Sequence, residues 1–461
     1  MNASARSDRR VRRVGRVGRL CKTWRALQTS LSRAIPMRLH PRRSVIERVR
    51  RDIRELLDSD RQPSSRSHTS EIARDYLSGP ARRRMLLLRV LARDFGMLGD
   101  TRSAGSSDPR GQTAAQIVHS IEPPRLNVLR RLAELPDGLK LLMRLRGDLM
   151  DAARADASMR TVEQELHRLL AAYFNVDLLE ARGVTWRSPE TVLKKLIEHE
   201  AVHEIHGWND LKNRLDADRR CFALFHPRMP DEPLVFVEIA LCHGIAGNIR
   251  GLLDEDAPLD DPLSADTAVF YSISNCHRGL AGTSLGHFLI TRAIGELAAE
   301  LPALKTFVTL SPIPGFANWL RSALEKNAAP GPAPIDHAEL AALQLPGWYG
   351  DPSIAAAVRD PLMRLCAHYL LRVRRRDGKR AADAVAHFHL RNGARLERLN
   401  WLADLSEKGL RQAYGLMVNY RYDPSELADR CEAYVRRGVI AVAPEIEVLA
   451  GDPVEAAGQA G

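Results

Sequence analysis

Aromatic side chains make up only 5% of these 461 residues, and the six cysteines (21, 221, 242, 276, 366 and 431) include no C-x-x-C pair. That scatter supports neither a zinc site nor a disulfide framework, so reduced, mostly buried thiols and no structural metal are expected. No stretch approaches the ~20 apolar residues of a membrane span, which excludes a helical membrane protein. Acidic residues are scarce at the start. Residues 1–50 hold fifteen Lys/Arg against Asp8 and Glu47, so the formal net charge of +11 leaves the remaining chain slightly negative. A nucleic-acid role would therefore rest on this arm alone. The arm is Arg-rich and acid-poor, as mitochondrial presequences are, and lacks the apolar core of a secretory signal. The Arg/Ala bias of the whole chain favours a basic arm on a bacterial cytoplasmic protein; in a eukaryote the same arm would imply the mitochondrial matrix.

With 45% hydrophobic and 27% charged residues, the composition suits two or three globular domains. From about residue 44 to 174 apolar residues recur at helical spacing, as in "SVIERVRRDIRELLDS" and "MRTVEQELHRLLAAYF". A polar loop at 99–112 interrupts them. This region reads as an all-helical domain with a packing or self-associating role and no chemistry of its own.

The texture then changes. "RRCFALFHPRMPDEPLVFVEIAL" reads as a hairpin and "TAVFYSIS" (267–274) as a strand. A Gly-containing turn, an amphipathic helix and the strand "KTFVTL" (305–310) follow, which together make a βαβ-type unit. After a Pro-rich insertion (327–340) the chain reads as mainly helical, with a disordered tail over 446–461. The expected architecture is α+β: arm 1–43, helical domain 44–174, α/β catalytic domain 175–445 with additional C-terminal helices, and tail.

Several places could carry chemistry. In "RGLAGTSLGHFL" (278–289), glycines 279, 282 and 286 sit where a strand hands over to a helix. Free amides there suit an anion such as a pyrophosphate, although the same glycines read equally as a tight turn. The spacing is neither a P-loop nor G-x-G-x-x-G, which disfavours a nucleoside triphosphate or dinucleotide. Ser311 opens "SPIPGF" at the carboxyl end of the next strand, where ligands gather in open α/β sheets. "HFHLRNGARLERLN" carries His387, His389, Asn392 and Asn400. Its histidines are spaced at i, i+2, which does not suit chelation, but a histidine suits proton transfer near neutral pH. Tyr420 and Tyr422 in "GLMVNYRYDP" read as aromatics of core or surface.

Taken together, "EAVHEIHGWNDLKNRL", "SLGHFLITRAI", "LSPIPGFANWL", "AHFHLRNGARLERLNWLADLS" and "GLMVNYRY" resemble, in order and spacing, the malonyl-CoA decarboxylase family. The similarity covers roughly residues 160–425. It implies a helical oligomerisation domain, hence a homodimer or tetramer, and a catalytic domain related to the GNAT acetyltransferases. It implies malonyl-CoA bound at Ala281, Gly282, Thr283, Ser284, Leu285, Gly286 and His287, together with Ser311 and His389. Ser311 and His389 would be catalytic, with Ser311 as the proton acceptor, and Tyr422 would support them. No metal or organic cofactor is implied, since the thioester itself takes up the electron pair. Two positions depart from the family pattern: Ser284 stands where many members have glutamate, and His387 where asparagine is usual. A GNAT-type acyltransferase is the alternative; a basic nucleic-acid-binding protein and a helical scaffold with an inactive catalytic domain fit less well.

Overall fold

The computed structural model describes residues 43–58, 63–96, 122–325 and 340–451. The basic arm up to residue 42, the loop at 99–112, the Pro-rich insertion except Leu340, and residues 452–461 lie outside the described residues. The chain divides into two compact units, ending and beginning at Val128 and Leu129.

The first unit is helical: α1 (Arg43–Asp58), α2 (Pro63–Ser78) and α3 (Ala81–Asp94). Ile53 and Leu56 of α1, Ile72 and Tyr76 of α2, and Leu88 and Leu91 of α3 are all buried. Their i, i+3 and i, i+4 spacing forms the apolar stripe each helix needs. The division falls inside α4 (Pro124–Ala133).

Beyond α4 the second unit continues with α5 (Gly138–Ala152) and α6 (Ala157–Tyr173), whose apolar rows Leu142, Leu145, Leu149 and Val162, Leu166, Leu170 are buried. Asp156 caps α6 by accepting from Ser158 N at 3.0 Å. Among the described residues the sheet has eight strands: β1 (Glu180–Val184), β2 (Arg219–His226), β3 (Met229–Cys242), β4 (Thr267–Asn275), β5 (Thr306–Thr309), β6 (Ser311–Pro312), β7 (Arg395–Asn400) and β8 (Met417–Tyr422). Helices α7 (Glu190–His199) and α8 (Trp208–Asn213) follow β1, and α9 (Ile249–Leu253) follows β3. Next come α10 (Leu285–Glu300), α11 (Phe316–Glu325), α12 (Pro352–Arg372), α13 (Ala384–Arg391), α14 (Glu407–Ala413), α15 (Leu427–Arg437) and α16 (Pro444–Ala450). The fold is α+β: a helical N-terminal region followed by a mixed sheet with helices.

The expected hairpin is β2–β3, and the expected strand–turn–helix–strand unit is β4–α10–β5. Its two strands pair in parallel, Thr267 to Thr306 through Phe270 to Thr309, whereas every other strand pair is antiparallel. The β4–α10 turn and the end of β5 therefore share one edge of the sheet.

Two features differ from the sequence expectation. The region beyond residue 340 is not only helical, because β7 and β8 lie in it and β8 is a central strand. Helix α16 also carries ordered chain into the expected tail, with Ile446 and Ala450 buried. Three of the described cysteines (Cys221, Cys276, Cys366) are buried, and Cys242 and Cys431 are partly so; all five are free thiols.

The sheet opens where the site forms. β5 pairs Phe307 with Tyr422 and Val308 with Arg421 of β8, then the chain jogs at Leu310 and β6 pairs Ser311 with Val418. Leu310 N still reaches back to Phe270 O at 3.0 Å. Past that point β4 continues along β3 alone, so a gap opens between β4 and β6. β7 occupies the other edge of β8.

Candidate active site

Ser311 sits just past the jog and is buried. Its hydroxyl donates to Thr309 Oγ1 at 2.8 Å, and its Oγ lies 3.1 Å from Nε2 of His389. His389 comes from α13 and is 2% exposed. Its Nδ1 is 2.8 Å from the hydroxyl of Tyr422 on β8, and its ring stacks on Tyr420 at 4.4 Å between centroids. A helix, a strand and the jog thus converge on one buried imidazole.

The donor pattern sets the protonation state. Thr309 Oγ1 accepts both the Ser311 hydroxyl and the Tyr420 amide, the latter at 3.2 Å. With the Ser311 proton so committed, Ser311 Oγ accepts from the His389 Nε2–H, which leaves Nδ1 to accept from Tyr422. The resting tautomer is therefore Nε2–H, and the chain of donors runs from Tyr422 through His389 to Ser311 and Thr309. Burial pushes the His389 pKa down to about 3, so the ring is neutral. Burial also pushes the Tyr422 phenol well above its ordinary value; the neighbouring Asn392 side chain opposes that shift, although its buried Nδ2 completes no hydrogen bond of good geometry.

Asp383 ties the two halves together. It caps α13 by accepting from Val385 N and Ala386 N at 2.9 and 3.0 Å, while its other oxygen accepts from Gly315 N at 3.0 Å. One buried carboxylate therefore holds the "SPIPG" turn against the helix that carries His389. Burial raises the Asp383 pKa, opposed by these backbone donors. The close approach also explains Gly315, since a Cβ there would lie 2.1 Å from the Tyr369 hydroxyl.

The glycine turn lies beyond β4 on the same edge. Ala281, Gly282 and Thr283 form it, Ser284 is the residue before α10, and Leu285, Gly286 and His287 make the first helical turn. Gly282 adopts φ +83°, a left-handed conformation that suits glycine. The Thr283 hydroxyl donates to Leu280 O at 2.6 Å, and the Ser284 side chain makes no capping bond. The Leu285 side chain is core, so only its backbone faces outward. Burial, then Arg391, lowers the His287 pKa. The turn connects to the imidazole through one residue: a Cβ on Gly286 would lie 3.1 Å from the ring of Phe388, and that ring packs edge-on against His389 at 5.0 Å.

The model of the malonyl-CoA decarboxylase C-terminal domain matches residues 177–458, and that of the N-terminal domain matches residues 97–174. The chain belongs to the malonyl-CoA decarboxylase family. It is 33% identical over 410 residues to the mitochondrial malonyl-CoA decarboxylase of Anser anser anser, covering 81% of each chain. It is 36% identical over 349 residues to the mouse protein of the same name, covering 70% of each. Solved malonyl-CoA decarboxylase structures from Agrobacterium vitis (TM-score 0.79, 39% identity) and Rhodopseudomonas palustris (TM-score 0.78, 36% identity) cover 88% and 87% of this chain. Each solved chain is itself covered almost completely, at 100% and 99% respectively.

In this member of the malonyl-CoA decarboxylase family, most of the site residues expected from sequence fall into two groups. Ser311, His389 and Tyr422 form one hydrogen-bonded chain, and residues 281–287 form a turn joined to it through Phe388. His387 belongs to neither, since its Nδ1 pairs with the Tyr434 hydroxyl at 2.8 Å. Asn400 instead donates to Asn419 Oδ1 at 2.8 Å, and Asn419 Nδ2 donates to Thr309 O at 2.8 Å, which steadies the site from below. Sequence reading missed Thr309 and Asp383. Asp383 had a legible signal, an acid just before a helical apolar run; Thr309 had none. Among the described residues no group of three or more His, Cys, Asp or Glu is placed to hold a metal ion, and no helix is long and apolar enough to cross a membrane. A polar cleft of about 1370 Å³, lined by His203, Arg214, Asp404 and Lys408 among others, shares no lining residue with the site.

Proposed function

We propose that this protein converts malonyl-CoA to acetyl-CoA and CO2, acting as a carboxy-lyase. The observation that carries the reading is the buried, neutral His389 held between Tyr422 and Ser311 on the edge that also bears the glycine turn. Loss of CO2 breaks a carbon–carbon bond and leaves its electron pair on Cα, delocalised onto the thioester oxygen. A water-poor site favours that step, because the substrate carboxylate loses hydration as its charge disperses. Ser311 hydrogen-bonds the thioester or the carboxylate. Cα then takes the Nε2 proton of His389 as the Tyr422 hydroxyl passes its own to Nδ1; when product leaves, the Nδ1 proton returns to Tyr422 and solvent restores the proton at Nε2. Such positioned proton transfer typically contributes about 10²–10⁴ in rate. Ser311 already accepts from His389 in the resting site and so is no base toward substrate; it enters this scheme as a donor, its proton turning from Thr309 to the substrate oxygen.

Residues 281–287 bind the phosphates of the CoA moiety through backbone amides. The reading keeps a helical region to residue 174 and a catalytic region from 175, a division supported by family models that meet between 174 and 177. Self-association through the helical region, and a cytoplasmic or matrix location, accompany this reading through the family resemblance; light scattering of the purified protein tests the first.

Incubation with malonyl-CoA and no acceptor decides between this activity and acyl transfer. Stoichiometric acetyl-CoA and CO2 are expected, whereas a transferase would release neither. His389→Ala and Ser311→Ala should each lose about 10²-fold or more in kcat while still binding CoA. Near-normal CO2 release by either variant removes that residue from the mechanism.

A further inference from the structure

Arg146 lies on α5, in the region whose sequence suggested packing or self-association. It is 5% exposed, and its contacts reach across the unit to the glycine turn. Nη1 donates to Gly279 O at 2.7 Å and to Ala281 O at 2.8 Å, while Nε donates to Glu163 Oε1 of α6 at 2.9 Å. The turn rests directly on α5, because a Cβ on Gly279 would lie 2.0 Å from Met143 O.

A trans peptide is planar, with its C=O and N–H pointing in opposite directions. The peptide whose carbonyl is Ala281 O has Gly282 N–H as its other end. Arg146 holds that carbonyl inward, so the Gly282 amide points away from α5. Among the described residues this amide and those of Ser284, Leu285, Gly286 and His287 make no hydrogen bond within the protein. The last three open α10, where the helix dipole adds positive potential.

We infer that Arg146 is a positioning residue for substrate: by clamping the Gly279 and Ala281 carbonyls it aims the turn amides at the CoA phosphates without touching them. This rests on the reading of residues 281–287 as the phosphate-binding turn. The α5–α6 pair is then part of the substrate site's foundation, and the guanidinium is needed for its fork of donors as well as its charge.

The test uses the full-length protein with two substrates: malonyl-CoA, and malonyl-pantetheine, which keeps the reacting thioester and lacks every phosphate. Arg146→Met should raise KM for malonyl-CoA roughly tenfold and leave kcat within about threefold. Its KM for malonyl-pantetheine should match wild type. Arg146→Lys, which keeps one donor at a time, should fall between; it carries the same comparison if the Met variant does not fold. An equal loss on both substrates, or a fall in kcat with KM unmoved, overturns the proposal, because a general structural defect acts on both alike. Wild type tests the underlying reading separately. If it shows the same KM for both substrates, the turn does not bind the phosphates. If it discriminates and Arg146→Met discriminates equally, Arg146 alone is excluded.

Discussion

A hydroxyl that accepts two hydrogen bonds leaves each donor no choice of direction, and Thr309 does this beside the candidate catalytic pair. Val is nearly the same shape but accepts nothing. Thr309→Val therefore frees the Ser311 proton to turn toward His389 and inverts the tautomer, placing N–H at Nδ1 against Tyr422. We expect kcat to fall by about 10²-fold with KM little changed, and stability to fall by about 1–3 kcal/mol because the Tyr420 amide loses its acceptor. Steady-state kinetics beside a urea titration separates the two effects; an unchanged kcat would show that the tautomer is irrelevant. The burial that keeps His389 neutral gives a second expectation at this scale. A free imidazole titrates near 6.5, but this one is held near 3. The pH profile of kcat/KM should therefore show no step attributable to His389 between about 5.5 and 7.5. Ser311 and His389 stand out in the sequence as residues with reactive chemistry, whereas Thr309 is one threonine in an apolar run, visible only through the geometry of its neighbours.

Asp383 acts at the scale of elements, since it caps α13 and holds the turn after β6 together. Asp383→Ala removes the cap and strands the Gly315 amide, which together should cost roughly 2–4 kcal/mol. The same change lets α13 drift from β6, so kcat should fall more than KM rises. Asp383→Asn keeps a capping oxygen and should lie between. Thermal melts and initial rates on the three proteins check this; an Asp383→Ala variant as active as wild type would mean that α13 is held elsewhere. The β4–α10–β5 unit was legible because its strands are apolar runs, its turn is glycine-bearing and its helix is amphipathic. Strand β8 was not, although it is central. "MVNYRY" breaks its apolar run with Asn419 and Arg421, and Asn419 is fully buried because its amide serves Thr309 O and Ala246 O. β7 hides in the same way, with Arg395, Glu397 and Arg398 in six residues. A polar residue satisfied inside a sheet looks, in sequence, like a residue that faces water.

For the whole molecule, burial of imidazole couples folding to pH. His389 and His203 are held neutral, near 3 and about 4, chiefly by burial, and His387 is lowered to about 4 by burial and nearby arginines. In the unfolded chain each takes up a proton below about 6.5, whereas the folded protein does not until pH 3–4. The part of the stability that these histidines carry is therefore fully present above pH 6.5 and is lost as pH falls toward 3, with His389 alone contributing up to about 1.4 kcal/mol per pH unit across that window. Urea midpoints measured at pH 7.5 and 5 should show the loss, and His387→Asn, the residue usual in the family, should reduce it. A His387→Asn variant whose midpoint falls on acidification as far as that of wild type would contradict the assignment.

The jog at Leu310 has a consequence for how the enzyme comes into being. Its floor is Asn419, paired to Thr309 across 110 positions of sequence, and the imidazole that answers Ser311 comes 78 positions later. Contacts of such long range close late, after the intervening chain has been ordered. A ribosome that has delivered the glycine turn and Ser311 has so far made a chain without His389. The strand that supports that imidazole is among the last to leave the exit tunnel, so the ring finds its partners only when the sheet is complete.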